Sequence, residues 1–195
     1  MIDNRLARIL AHVNKNPDES AEKLAQKFDT LIGVFEADML SVSDVLDGDM
    51  STSLYIKLVS ALISRRKCDA FKFGKKYTDE EIGEYLVSLF FGLSVETVYL
   101  LSVRDDKVVA CDRAGEGTVN TSNVLPRKLI EIAKRNKADS VIIAHNHPGG
   151  YAMSSDDDRT GTRILFELFL NSGIKLLDHY VVAGIECKKI DFRKG

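Results

Sequence analysis

Two histidines and an acidic helix start stand together in the stretch V-I-I-A-H-N-H-P-G-G-Y-A-M-S-S-D-D-D, from Val141 to Asp158. Residues two apart on a strand point to the same face, so His145 and His147 at the end of an apolar strand can offer two imidazoles to one ion. A Pro-Gly-Gly turn then leads to a helix whose first turn carries Asp158, a candidate third ligand. Two histidines and one carboxylate leave a fourth position open for water, as catalytic zinc sites do.

The acidic residues also have a simpler explanation. Ser155 and Asp158 fit an S-x-x-D capping box, and carboxylates in the first turn of a helix are favoured by its dipole without any metal. That explanation does not cover His145 and His147, which are two of the four histidines in the chain. The spacing therefore favours a metal site, with helix capping as the alternative.

The same stretch resembles a known signature. From His145 to Asp158 the chain reads H-x-H-P, six residues, then S-x-x-D, which is similar to the motif of the JAB/MPN metalloproteases, also called JAMM proteins. The local sequence H-N-H-P-G-G resembles the corresponding segment of the bacterial RadC branch, as does the L-L-D-H segment that ends at His179. The resemblance is densest between residues 96 and 184. It implies a JAB/MPN-like α/β fold with a mixed sheet flanked by helices, and a zinc-dependent hydrolase that cleaves peptide or isopeptide bonds.

The resemblance also implies roles for two further residues. JAMM domains carry a catalytic glutamate near the start of their first strand, and Glu96 occupies the matching position as the general base. On the sequence alone, Glu96 could equally face solvent from an edge strand. Ser155 is implied as a hydrogen-bond donor to the oxyanion, with helix capping as its alternative. Asp178 and His179 are predicted to have a structural role or to orient a ligand.

Helical patterning fills the amino-terminal third, and an α/β pattern follows it. We predict a small all-α domain over residues 1–64, a basic linker over 65–77 and the JAB/MPN domain over 78–195. The first part resembles the helix-hairpin-helix region of RadC-like proteins, but its hairpin is altered to Leu46-Asp47-Gly48-Asp49. Thr78 with Glu81 is expected to cap the first helix of the second domain.

Charge is divided unevenly along the chain. Residues 1–60 carry six basic and ten acidic residues, which would repel phosphate, whereas residues 61–77 carry six basic and one acidic residue. The basic stretch favours a solvated linker, with nucleic-acid binding as the alternative. Two alternatives to a hydrolase therefore remain. The protein could be a DNA-repair-associated or nucleic-acid-associated protein, or it could be an MPN interaction module without catalytic activity.

Other features of the sequence exclude some classes of protein. No apolar run approaches the ~18 residues that span a bilayer, and the amino terminus lacks the apolar core of a signal peptide, so we expect a cytoplasmic protein with no membrane partner. The three cysteines are far apart and form no C-x-x-C pair, which argues against disulfides and a cysteine zinc site. The sequence leaves the identity of the substrate and the oligomeric state open.

Overall fold

The structure is a computed structural model, and it describes residues 4–116 and 124–193. Within these residues the chain forms helices in its first part and alternates helices with strands in the rest. The helices are α1 Asn4–Leu10, α2 Pro17–Phe28, α3 Leu31–Glu36, α4 Met39–Val45, α5 Met50–Cys68, α6 Asp79–Phe90, α7 Val124–Arg135 and α8 Asp156–Asn171. The strands are β1 Thr97–Arg104, β2 Lys107–Glu116, β3 Ser140–Asn146, β4 Lys175–Ala183 and β5 Glu186–Lys189.

The five strands form one mixed sheet in the order β2-β1-β3-β4-β5. Strand β1 runs antiparallel to both β2 and β3, β3 runs parallel to β4, and β5 returns antiparallel to β4. Every residue of the central strand β3 is buried, as its apolar composition predicts. The predicted α/β class with a mixed, helix-flanked sheet is confirmed.

Helices cover both faces of the sheet and create two apolar cores. On one face, α7 and α8 pack against β1 and β3 through Leu129, Ala133, Leu165, Phe169, Leu100 and Ile143. On the other face, α6 packs against β1, β3 and β4 through Ile82, Leu86, Phe90, Leu101, Ile142 and Val182. The central strand is therefore held from both sides, which fixes the position of the residues at its carboxyl end.

The amino-terminal helices surround a third apolar core. It contains Leu10, Leu24, Phe35, Val42 and Ile56, and Phe91 from the end of α6 packs against it. The altered hairpin forms a turn in which Asp47 and Gly48 have φ of 54° and 89°. The division into domains at 1–64, 65–77 and 78–195 stays a prediction.

The basic stretch is packed rather than free along much of its length. Residues 65–68 are the last turn of α5. Further along, the ring of Phe71 stacks on Tyr77 and on Tyr85 of α6, each with a centroid distance of 4.0 Å. Lys75 forms a β-bridge with Val108 of β2. Aromatic stacking therefore holds this stretch against the domain that contains the sheet.

Local signals set several element boundaries. Thr78 and Glu81 form the expected capping box at the start of α6. Asp105 and Asp106, with φ of 51° and 59°, make the tight turn that joins β1 to β2. Helix α7 begins at Val124 and has Pro126 as its third residue. Proline is tolerated there because the first amides of a helix need no intrahelical acceptor.

None of the helices formed by residues 4–116 and 124–193 combines the length and the apolar character that crossing a bilayer requires.

Candidate metal centre

Strand β3 delivers the two predicted histidines to one place. His145 is fully buried at the end of the strand, and His147 follows it after one residue. The amide of His147 donates to the Val182 carbonyl of β4 at 2.8 Å, which holds the strand end against its neighbour. The two Nε2 atoms lie 3.0 Å apart. The i, i+2 spacing therefore does bring two imidazole nitrogens together.

Helix α8 places the Asp158 carboxylate beside both histidines. Its Oδ1 lies 3.2 Å from His145 Nε2, and its Oδ2 lies 3.6 Å from His147 Nε2. Ser155 caps the helix by accepting from the Asp158 amide, while its own amide and hydroxyl donate to Asp158 Oδ2 at 2.8 and 2.7 Å. The capping box and the ligand position thus coexist, because the cap is what aims the carboxylate at the histidines.

The charge of Asp158 is stabilised by these contacts. Burial by itself would raise the pKa of this carboxyl, but the adjacent His145 ring and the hydrogen bonds that Ser155 donates outweigh the burial and lower the pKa below its usual range. Asp158 is therefore an ionised carboxylate at neutral pH, as a metal ligand must be.

A chain of hydrogen bonds fixes the tautomer of His145. The Thr162 hydroxyl donates its single proton to the Asp158 carbonyl at 2.5 Å, so it must accept from His179 Nδ1, 2.7 Å away. Burial lowers the pKa of His179 well below its usual value, which keeps this ring neutral and leaves its Nε2 without a proton. That Nε2 lies 2.9 Å from His145 Nδ1, so it accepts a hydrogen bond from the Nδ1–H of His145. In the neutral form of His145, the form that binds a metal, Nε2 is therefore the nitrogen without a proton, and it faces the centre.

The tautomer of His147 is fixed in a simpler way. Its Nδ1 lies 3.2 Å from the Tyr151 carbonyl, which can only accept a hydrogen bond. Nδ1 must then carry a proton, and in the neutral ring, the form that binds a metal, Nε2 is bare. The turn at Pro148 and Gly149, where φ of Gly149 is +67°, brings the Tyr151 carbonyl back to the ring.

The resulting donor set fits a metal ion. With both imidazole nitrogens unprotonated, their separation of 3.0 Å and a carboxylate within 3.6 Å would be repulsive unless a metal cation or a shared proton lay between them. Ligands that bind zinc tetrahedrally at ~2.0–2.1 Å are separated by about 3.3–3.4 Å, close to the three separations found here. Among the described residues, ligand atoms of Glu96, His145 and His147 also lie within 4.8 Å of one another and could hold an ion.

Glu96 lies immediately before β1 and faces this centre. The alternative that it points to solvent from an edge strand is wrong, because β1 lies between β2 and β3. Its Oε1 is buried and has no hydrogen-bond partner. Burial raises the pKa of this carboxyl, and the nearby His145 opposes the shift. A buried carboxyl oxygen without a partner destabilises a fold, so its position beside two candidate metal ligands makes Glu96 a candidate functional residue.

The structure adds two residues to the predicted set. Asn146, between the histidines, accepts from the Thr97 amide at 2.8 Å and donates to the Val95 carbonyl at 3.3 Å, so it holds the backbone on both sides of Glu96. Thr162 completes the chain from His179. The sequence signal for Asn146 was its position between the two histidines at the end of an apolar strand. Nothing in the sequence singled out Thr162. Asp178, in contrast, forms an ion pair with Lys189.

The mixed sheet flanked by helices defines an α/β domain. At the carboxyl end of its central strand, two histidines and two carboxylates lie together and form a candidate metal-binding site. The chain belongs to the family of the RadC-like JAB domain, whose family model matches residues 77–191. It is also similar to the UPF0758 protein of Herminiimonas arsenicoxydans, with 28% identity over 172 residues, 87% of this chain and 77% of that protein. A UPF0758 protein of Vibrio parahaemolyticus is 29% identical over 169 residues, 86% of this chain and 75% of its own.

Proposed function

We propose that this protein is a zinc-dependent hydrolase that cleaves a peptide or isopeptide bond in a peptide or protein substrate. The observation that carries the proposal is the convergence of two histidine Nε2 atoms, the ionised Asp158 and the buried, unpartnered Oε1 of Glu96. Borderline-soft nitrogen ligands with one carboxylate suit zinc better than magnesium or calcium, which prefer oxygen ligands.

His145, His147 and Asp158 would hold the ion, and the neutral rings and the carboxylate together leave a net charge that suits a divalent cation. When bound, zinc supplies Lewis-acid chemistry and lowers the pKa of water from its bulk value to about 7. Glu96 takes the proton of the attacking water and passes it to the leaving amine. Its raised pKa suits both steps, because a carboxyl with a higher pKa is a stronger base and can still give the proton up.

Ser155 has one hydroxyl proton, and in this arrangement it is directed at Asp158 Oδ2. We assign Ser155 first to orienting this ligand. Stabilising the oxyanion would need the hydroxyl to turn away from Asp158, and that role stays a prediction.

Large apolar side chains flank the centre and support a polypeptide substrate. Tyr151 and Met153, which follow the Pro-Gly-Gly turn, are 83% and 68% exposed, and Val95 beside Glu96 is also exposed. Exposed apolar groups that cluster at a site commonly contact a ligand. We therefore expect the best substrates to carry apolar side chains next to the scissile bond.

Metal content gives the first test. Protein purified from metal-replete medium without chelators should contain about one zinc ion per chain, as measured by elemental mass spectrometry. His147→Ala should lose it, whereas His12→Ala, a change at an exposed histidine of the helical part, should retain it. Wild-type protein that holds no divalent metal above background would contradict the proposal.

Turnover gives the second test. A panel of peptides and isopeptide-linked peptides with apolar or polar residues beside the scissile bond should identify a cleaved substrate. Glu96→Gln should then keep the fold and the bound zinc while hydrolysis falls by about 10² or more. A variant with zinc retained and turnover unchanged would remove Glu96 from the mechanism.

A further inference from the structure

A groove of about 800 Å³ runs along helix α6, on the face of the sheet opposite α7 and α8. Its volume falls within the range of roughly 300–1,000 Å³ that ligand-binding clefts occupy. Most of its surface is apolar, and four aromatic side chains contribute to it: Phe71, Tyr77, Tyr85 and Tyr180. None of the residues of the candidate metal centre lines the groove. It is therefore a second candidate site on the described part of the chain.

Gly83 leaves part of this groove open. It lies inside α6, where glycine is less favourable than alanine. Its φ is not positive, and a Cβ at this position would lie 3.8 Å from the side chain of Cys187, an ordinary contact distance. Neither the backbone nor the packing of the chain therefore requires glycine here. A ligand that lies across the helix would use the space that the missing side chain leaves.

The charged side chains that line the groove are all acidic: Asp79, Glu80, Glu81 and Glu84. Two of them are engaged, because Asp79 forms an ion pair with Lys189 at 2.7 Å and Glu81 accepts from the Thr78 amide at 2.8 Å. Glu80 and Glu84 are exposed, and no described side chain forms an ion pair with either. They are four residues apart on one side of the helix, so their charges repel each other. The groove therefore favours a cationic ligand.

Lys189 shows how a cation is held at this groove. Its ammonium pairs with Asp79 and lies 5.5 Å from the centroid of the Tyr180 ring. A carboxylate combined with an aromatic face at this distance attracts a cation twice, by charge and by the ring quadrupole. Glu80 and Glu84 line the same groove as the rings of Tyr77 and Tyr85 and have no such cation from the described residues.

We propose that the groove binds a basic segment of a polypeptide, with an arginine guanidinium paired to Glu80 or Glu84. Arginine suits this lining better than lysine, because its planar guanidinium both stacks on aromatic rings and pairs with a carboxylate. Its aliphatic stem covers apolar surface, which Val87 and Ile185 provide here. A nucleic acid is excluded as the occupant, since the carboxylates would repel its phosphates. The inference does not depend on zinc or on hydrolysis.

Fluorescence anisotropy of a labelled peptide, Gly-Gly-Arg-Leu-Arg-Gly-Gly, with the full-length protein tests the proposal. At about 0.1 M salt, the wild-type chain should bind it with a dissociation constant of about 10–300 µM, as suits a small open site. A second peptide carries citrulline, which has nearly the same shape but no charge, in place of both arginines. It should bind about fivefold more weakly or worse. Wild-type protein that binds the arginine peptide no better than about 1 mM, or that binds both peptides equally, would overturn the proposal.

A charge-matched pair of variants separates the groove from the overall charge of the protein. Glu80→Gln with Glu84→Gln keeps the shape of the lining and should raise the dissociation constant about fivefold or more. Glu22→Gln with Glu167→Gln, at exposed positions of α2 and α8, removes the same charge and should change it by less than about twofold. Equal effects of the two pairs would show that binding does not occur at the groove.

The shape of the groove is tested at Gly83. Gly83→Leu should fill the space along α6 and weaken binding by about fivefold or more, whereas Gly83→Ala should retain it. Thermal melting should verify that both variants are folded, with Gly83→Ala at least as stable as the wild type. A folded Gly83→Leu protein with wild-type affinity would place the peptide elsewhere and refute the proposal.

Discussion

Replacing His179 tests whether the buried hydrogen-bond chain sets the affinity of the centre for metal. His179 Nε2 accepts a hydrogen bond from His145 Nδ1 at 2.9 Å, and His179 Nδ1 donates one to the Thr162 hydroxyl at 2.7 Å. Leucine fills similar space but accepts nothing. In His179→Leu the Nδ1–H of His145 would be buried without a partner, a cost of about 1–3 kcal/mol. The ring can avoid this cost by moving its proton to Nε2, where Asp158 Oδ1 at 3.2 Å accepts it.

That tautomer blocks the metal, because the proton occupies the nitrogen that should bind it. Loss of a group that orients a ligand weakens metal binding by about 10–100-fold, which corresponds to roughly 1.4–2.7 kcal/mol. We expect a loss of this size in His179→Leu. His179→Gln should lose much less, since its amide oxygen can still accept from His145 and its nitrogen can donate to Thr162.

Competition with a chromogenic zinc chelator at pH 7.5 measures both affinities, and thermal melting of the metal-free proteins verifies their folding. A leucine variant with wild-type affinity would refute the role of the chain in fixing the tautomer. Equal losses in the leucine and glutamine variants would show instead that packing around His179 controls the site.

Three further predictions concern the amino-terminal helices and their contacts. Gly74→Ala, at a positive φ and in open space, should lower the free energy of unfolding by only the backbone strain of about 1–2 kcal/mol in a denaturant titration. Gly92→Ala, at a similar φ, should lose more than this, because its Cβ would also lie 1.9 Å from Ser60 Oγ; equal losses in the two variants would contradict this. Lys57→Met should lose about 1–3 kcal/mol in the same assay, because its ammonium donates to three carbonyls, and an unchanged midpoint would refute it. The full-length protein should not bind duplex DNA detectably by fluorescence anisotropy near physiological salt, because the carboxylate of Asp49 already caps α5; micromolar binding would overturn this expectation.

The sequence predicted the parts of the centre that lie close together in the chain. His145 and His147 follow one strand, and Asp158 opens the next helix, so strand periodicity and a capping box were enough to place them. In each case, residues a few positions apart determine the geometry, and the intervening elements leave little freedom.

Contacts between distant segments could not be predicted in this way. The side chain of His179 meets His145 because β4 lies parallel to β3, a pairing that separates the two residues by 34 positions. Asn146 reaches the backbone around Glu96, 49 and 51 positions away, because β1 and β3 are neighbours. For the same reason, resemblance rather than periodicity suggested Glu96, since a lone carboxylate beside an apolar run fits several environments.

The amino-terminal helices support the two loops that carry the centre. The half-buried carboxyl of Glu36 in α3 accepts hydrogen bonds from the amides of Gly149 and Gly184; burial raises its pKa, and these bonds partly offset the rise. Gly149 belongs to the turn that follows His147. On the other side, Lys57 of α5 binds the carbonyls of Ala37 and Gly92, at the start of the loop that leads to Glu96. Because one helical core holds both loops, a change in its packing would move His147 and Glu96 relative to each other.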